Sequence, residues 1–253
     1  MAKDKRRLDQ VLVERGLAES RTQAQALILS GNVFSGQRRL EKPGQSVPAD
    51  VPVSVRGHAH PWVSRGGIKL AHGLDHFSID PAGLVCLDVG ASTGGFTHVL
   101  LTRGAARVYA VDVGHGQLAW TLRQDPRVSV LERTNARALG REHVAEAVDL
   151  IVCDVSFIGL ETALPAPLEL AAAEAWLLAL VKPQFEAGRD QVGKGGVIRD
   201  PAVRGEVCRR LVGWLSARPG WTVIGTAESP ITGPEGNIEY LLAARKVSTD
   251  RQE

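Results

Sequence analysis

Cysteine, methionine and aromatic residues are scarce in this chain. Among 253 residues there are three cysteines, one methionine, five tryptophans, two tyrosines and five phenylalanines. Cys86, Cys153 and Cys208 stand far apart, which argues against a disulfide framework or a cysteine metal site and fits a reducing cytoplasm. Cys86 and Cys153 fall inside apolar runs and are expected as buried free thiols. No apolar run reaches the ~18 residues that a membrane-spanning helix needs. The basic start, Met1 to Arg7, is not followed by an apolar stretch, so no secretory signal is expected. Internal repeats and low-complexity tracts are also missing. The seven histidines show no metal-ligand spacing, and no metal is expected.

Net charge is small, +2, but unevenly spread. Residues 1–56 carry ten Lys/Arg against six Asp/Glu, so the rest of the chain is slightly acidic. A basic end on a near-neutral body suggests a polyanion met first by the N-terminal part. There, Leu8, Val11, Leu12 and Arg15 have helical spacing and Gly16 stops the helix. Ser20 caps a second helix from Arg21 to Ser30, with Gly31 at its end. Short extended pieces follow near Val33-Phe34 and Val51–Val55.

From residue 64 the pattern changes. Apolar β-rich runs recur at 84–89, 107–113, 128–131, 148–153, 176–181, 222–227 and 238–244. Helix-like stretches at 95–103, 115–124, 141–147, 160–173 and 201–217 separate them. This alternation predicts an α/β fold, a mostly parallel sheet with helices on both faces. In such a sheet ligands bind beyond the carboxyl ends of the strands. Asp88, Asp112, Asp154 and Lys182 all stand at or just after such ends.

The first run leads into a glycine-rich turn, Asp88-Val-Gly90-Ala-Ser92-Thr93-Gly94-Gly95-Phe96. Its glycines permit close backbone approach to a cofactor. A dinucleotide fingerprint would need glycine at 92, where serine stands, which argues against NAD. Asp112 closes the next run and can accept both ribose hydroxyls of an adenosine cofactor. Asn135 is a candidate for the adenine edge, or else a turn residue before a helix. Gly193-Lys-Gly-Gly196 lacks the phosphate-loop spacing and reads as a mobile substrate loop. The tryptophans are scattered and expected mainly in the core.

The glycine turn resembles motif I of S-adenosylmethionine-dependent methyltransferases. Lys69, Asp154, Lys182 and Glu239 lie in Ser64-Arg-Gly-Gly-Ile-Lys69, Cys153-Asp154-Val-Ser-Phe157, Val181-Lys182-Pro-Gln-Phe-Glu186 and Gly236-Asn-Ile-Glu239-Tyr. In order and context they are similar to the Lys–Asp–Lys–Glu tetrad of FtsJ-like ribose 2′-O-methyltransferases. Arg7-Leu-Asp through Gly16, Ser20 to Ala24 and Ser30-Gly-Asn-Val33 resemble the S4 RNA-binding pattern, with Phe34-Ser-Gly36 where Val-Asn-Gly is common. Together these features resemble the TlyA family.

The resemblance implies an S4-like RNA-binding domain at residues 1–58, a linker at 59–63, a Rossmann-like methyltransferase domain at 64–246 and a tail at 247–253. It implies S-adenosylmethionine as cofactor, held by Asp88, Gly90, Ser92, Thr93, Gly94, Gly95, Phe96, Asp112, Asn135 and Asp154. It implies a cytidine of ribosomal RNA, alone or in a ribosomal subunit, as substrate. Arg6, Arg7, Arg21, Arg38, Arg39, Lys42 and Arg65 are the candidate RNA contacts. A ribose hydroxyl is a weak nucleophile and needs a base or a stabilised alkoxide. Lys182, near Lys69, is the candidate base. Asp154 would orient it, and Glu239 would hold Lys69 or the ribose. The same family carries a haemolysin label, so a membrane-lysing protein is the competing reading. It is disfavoured by the missing span, signal and cationic amphipathic helix. A non-catalytic RNA-binding protein is a third reading, and the complete tetrad argues against it. A small-molecule methyltransferase is a fourth, disfavoured by the basic module.

Overall fold

The computed structural model describes residues 5–18, 20–29, 31–55, 60–233 and 236–247, within two compact units, Met1–Pro61 and Trp62–Glu253. In the first, strand β1 (Lys5–Arg7) leads into helices α1 (Leu8–Glu14) and α2 (Arg21–Leu29). Four short strands follow: β2 (Val33–Ser35), β3 (Arg38–Arg39), β4 (Ser46–Pro48) and β5 (Ser54–Val55). β1 pairs antiparallel with β4, and β2 lies between β3 and β5. Leu8, Val11 and Leu12 form the buried stripe of α1 and pack in one core with Ala24, Leu27 and Ile28 of α2. Gly16, at φ +67°, lets Leu17 N–H reach the Leu12 carbonyl (2.9 Å) and its own N–H reach Val13 (3.0 Å), which closes α1. Arg15 does not extend the buried stripe. It lies past the helix end and donates to the carbonyls of Ala49 and Val51. Ser30 lies outside the described residues.

The second unit begins with helix α3 (Gly66–His76), then β6 (Val85–Val89), α4 (Gly95–Thr102), β7 (Arg107–Val111), α5 (Trp120–Arg123) and β8 (Val128–Leu131). It continues through β9 (Val148–Cys153), α6 (Leu160–Ala163), α7 (Pro165–Glu169), β10 (Ala171–Val181), α8 (Pro183–Glu186), α9 (Pro201–Ser216), β11 (Trp221–Glu228) and β12 (Tyr240–Lys246). The seven strands form one sheet in the order β11-β12-β10-β9-β6-β7-β8, with β12 antiparallel to both neighbours and β6 to β10 parallel. Alternate residues of each central strand face opposite cores. Leu87, Val89, Ile151 and Cys153 meet Leu160, Leu164, Val207 and Leu211 on one side. Cys86, Val108, Leu150 and Val152 meet Leu70, Leu74, Val99 and Leu100 on the other. The result is a three-layer α/β domain.

Several sequence expectations shift. Residues 141–147 form one turn, 141–143, and irregular chain, with no helix. The expected helix over 160–173 is two short helices, and its alanine-rich end, from Ala171, belongs to β10. Pro165 and Pro167 explain the break: Pro165 suits the first turn of a new helix and cannot continue the old one. The alanines then follow the sheet rather than their helix propensity, a tertiary override. Trp120 is 66% exposed, so it is not a core residue, whereas Trp221 is buried.

Candidate active site

The site lies where the strand order reverses. β6 and β9 are parallel neighbours; the chain moves from β6 to β7 on one side, while β9 continues to β10 on the other. A topological switch of this kind opens a crevice at the strand ends. Asp154 N–H donates to the Val89 carbonyl at 2.9 Å, which joins the two exits. Gly90 has φ +86°, and a Cβ there would stand 2.7 Å from the Asp154 carbonyl oxygen. Glycine is therefore required by the neighbouring strand end as well as by any ligand.

Gly94, at φ +96°, precedes α4 and has no side chain to cap it. Asp88 supplies the cap from β6. Its Oδ2 accepts the backbone N–H of Thr97 at 2.9 Å and the Thr97 hydroxyl at 2.7 Å. Asp88 is fully buried and its other oxygen has no hydrogen-bond partner. Burial pushes this carboxyl up to about 7, against the pull of the Thr97 bonds, with the Asp154 and Asp112 charges adding to the rise.

The crevice is a cavity of about 340 Å³. Its walls include Gly90, Ser92, Thr93, Gly95, Phe96, Lys69, Asp154 and Arg65 of the expected set, together with Ser64, Gly66, Ala91 and Thr232. Asp88, Gly94, Asp112, Lys182 and Glu239 are not in these walls but adjoin residues that are or that follow them in α4, and Asn135 is not among the lining residues. Asp112 accepts from Ser92 N–H at 2.8 Å and Gly114 N–H at 2.7 Å, one on each oxygen. A carboxylate has about four lone-pair directions, so two remain after these bonds. Thr134 N–H donates to the Asp112 carbonyl at 3.0 Å. The Asn135 side chain accepts from Arg137 N–H at 3.1 Å and caps a short 3₁₀ turn. Glu132 pins the loop after β7. It accepts Gly116 N–H at 2.9 Å and pairs with Arg123 and His115. The Gly116 N–H and Arg123 draw its carboxyl down to about 2.

The four tetrad residues form two ion pairs. Lys69, on α3, reaches Glu239 at 2.5 Å, with only 9% and 1% of the two side chains exposed. Lys182, at the end of β10, lies 2.6 Å from Asp154 Oδ1 and donates to Ser156 Oγ at 2.9 Å. The Asp154 contact falls outside hydrogen-bond geometry, since that oxygen has no hydrogen-bond partner. The acid therefore holds the lysine by charge, and Ser156 is the aligned acceptor. Gly233 packs against Glu239; a Cβ there would lie 2.6 Å from Oε1.

Among the basic candidates, Arg7 and Arg21 share one acid. Asp9, fully buried, accepts from Arg7 at 3.0 and 2.9 Å, from Arg21 at 3.1 Å and from Gln25 at 3.0 Å. The Arg7 guanidinium holds the Asp9 carboxyl well below the usual range. Arg6 pairs with Glu14 at 3.0 Å, and Arg39 with Glu41 at 3.7 Å. Arg38 and Lys42 are exposed. Arg65, in the second unit, is exposed and donates to the Thr232 carbonyl at 3.3 Å.

Four further residues escaped sequence reasoning. Asp9 is one. Ser156 and Phe157 follow β9: Phe157 takes φ +66°, is 90% exposed and lies 5.0 Å from the Phe185 ring. Asn237, buried, accepts Ile198 N–H at 3.0 Å and donates to the Gly196 carbonyl at 2.9 Å. It ties the glycine-rich loop to the segment that carries Glu239. A polar residue two positions before Glu239 was the only local signal.

Known proteins resemble this chain in both units. The FtsJ-like methyltransferase family model matches residues 62–246, and the S4 domain model matches residues 6–51. The 16S/23S rRNA (cytidine-2′-O)-methyltransferase TlyA of Mycobacterium tuberculosis is 51% identical over 250 residues, 97% of this chain and 91% of that protein. Hemolysin A of Brachyspira hyodysenteriae is 40% identical, over 93% of this chain and 98% of its own. A solved structure from Streptococcus thermophilus, described as a hemolysin, superposes with a TM-score of 0.74 at 38% identity, covering 97% of this chain and 90% of that one. The chain therefore belongs to the FtsJ-like methyltransferase family, in the TlyA group that pairs this domain with an S4 domain.

Proposed function

We propose that this protein methylates the ribose 2′ hydroxyl of a cytidine in ribosomal RNA, in the cytoplasm, with S-adenosylmethionine as methyl donor. The observation that carries the reading is the pair of nearly buried lysine–carboxylate contacts beside a glycine-turn cavity at the strand switch. The cavity suits the cofactor: positive-φ backbone at Gly90 and Ser92 opens the turn, and Asp112 keeps acceptor capacity on both oxygens. When bound, the cofactor supplies a methyl carbon whose bond to sulfur breaks, with the electron pair going to sulfur, as the ribose oxygen bonds to carbon.

The chain's part is alignment and proton removal. As a neutral amine Lys182 takes the hydroxyl proton; as an ammonium paired with Asp154 it clamps the developing alkoxide while the proton leaves to water. The Lys69–Glu239 pair holds its part of the cavity wall through two groups that water barely reaches. The exposed Phe157 ring, backed by Phe185, offers a face for the base of the acceptor nucleotide, since single-stranded bases stack on aromatic rings. The paired guanidinium groups on Asp9 favour phosphate contact by the first unit. The tuberculosis relative, named for cytidine 2′-O-methylation, supports the choice of atom and base. Other relatives carry a hemolysin designation; no helix among the described residues is long and apolar enough to cross a membrane.

Incubation of unmodified ribosomal subunits with methyl-labelled S-adenosylmethionine, followed by nuclease digestion, tests the proposal. Label in 2′-O-methylcytidine is expected. Label on a base atom, or none, rejects it.

A further inference from the structure

We propose that Ser156 is a positioning residue for the transfer: its hydroxyl sets the direction in which the Lys182 amine faces the acceptor oxygen. The inference rests on the ribose-methylation reading and adds a residue outside the tetrad.

The argument starts from the number of directions on nitrogen. A neutral amine on Lys182 has two N–H bonds and one lone pair; an ammonium has three N–H bonds. The terminal Cε–Nζ bond rotates freely unless acceptors fix it. Asp154 lies 2.6 Å away but outside hydrogen-bond geometry, so it attracts the charge without choosing a rotor position. Ser156 Oγ, at 2.9 Å, is the aligned acceptor and does choose one. With one N–H fixed on Ser156, the other two directions on nitrogen are fixed with it, one beside the Asp154 carboxylate and one left for the substrate. That direction carries the lone pair if Lys182 is a base and an N–H if it is a clamp. Either role needs the same fixed rotor. The Phe185 ring centroid lies 6.0 Å from Nζ, a long cation–π contact with no directed lone pair to compete with Ser156.

Local backbone geometry supports a dedicated placement. Phe157, just after Ser156, adopts φ +66°, a region that a bulky residue rarely occupies. The chain thus turns sharply at the exit of β9, and Ser156 is directed back at Lys182 while Phe157 projects outward. The Ser156 hydroxyl makes no other hydrogen bond in the described residues, and the residue is itself exposed, so its contact with Lys182 is not a by-product of core packing.

The test is single-turnover methylation of unmodified ribosomal subunits by the full-length protein, at saturating S-adenosylmethionine and RNA. Ser156→Ala is expected to slow transfer about 10-fold, the scale of one hydrogen bond to a charged group. Cofactor affinity, half-saturating RNA and melting temperature should stay near wild type. Ser156→Thr keeps the hydroxyl and is expected to recover most of the rate. An alanine variant within twofold of wild type overturns the proposal. So does a threonine variant that is folded but as slow as alanine, or a loss that appears only in RNA or cofactor affinity. If wild type itself transfers no methyl group to ribose, the ribose-methylation reading fails instead, and that outcome is separate from the first three.

Discussion

Both units build a cation–carboxylate cluster, but with opposite exposure. In the first, the acid is hidden and the cations are open: Asp9 is fully buried, while the Arg7 and Arg21 side chains are 45% and 52% exposed. In the second, both partners are nearly enclosed, at 9% and 1% for Lys69 and Glu239 and 10% and 20% for Lys182 and Asp154. Open cations on a hidden acid are held in place yet still face solvent, where a phosphate can reach them and salt can screen them. Enclosed pairs are screened far less and act through direction rather than range. The same chemical pairing therefore serves attraction in one unit and alignment in the other.

The largest effect expected is at Lys182. Lys182→Ala should abolish transfer while calorimetry with S-adenosylmethionine and the melting curve stay close to wild type. Lys182→Arg should also fail if the residue is a base, because a guanidinium stays protonated. Near-normal turnover in the arginine variant would leave only the clamp role, and near-normal turnover in the alanine variant would remove Lys182 from the mechanism.

Next comes the other enclosed pair. Lys69→Ala leaves Glu239 buried without its partner, which destabilises by about 3–5 kcal/mol in comparable settings. The double change Lys69→Met, Glu239→Leu should recover much of that stability in thermal denaturation but no activity. A single variant that unfolds at the wild-type temperature would show that the pair is not enclosed in solution.

A smaller effect is expected at the open cluster. Arg7→Ala and Arg21→Ala should each weaken RNA binding and reduce the slope of log affinity against log salt by about 0.7–0.9. Cofactor titrations should not change. Asp9→Asn should weaken RNA binding through both arginines at once, and an unchanged affinity would break the link between the hidden acid and the open cations.

The smallest is a stability profile. Asp88 has a folded-state pKa of about 7, raised by burial above the ordinary carboxylate value near 3.8. A raised carboxyl favours the folded state at low pH, and that contribution is lost as pH rises from about 4 through about 7. The melting temperature of Asp88→Asn relative to wild type should therefore climb across that window. A flat difference would mean that Asp88 is already ionised when folded.

Much of this arrangement was legible in the sequence because it is local or periodic. Apolar runs marked the seven strands, and polar residues at their ends marked the crevice. Lys69 and Glu239, 170 positions apart, meet only because α3 and the segment before β12 converge, and family resemblance was needed to link them. Features set by distant contacts were invisible. β1 exists because it pairs with β4, some forty residues away. The alanines at 171–175 became strand through the sheet, not through propensity. Phe157 carries no local sign of its positive φ, and the cap that Asn135 gives to its short turn follows from its place before that turn.

One protein sample can test the division between open and enclosed charges directly. RNA affinity and the single-turnover methylation rate at saturating RNA would be measured together from about 50 to 300 mM salt, a range over which phosphate contacts weaken steeply. The account predicts that affinity falls along a straight log–log line while the rate at saturation stays flat. A rate that falls in parallel with affinity would contradict it, because the charges that bind and the charges that react would then be equally open to solvent.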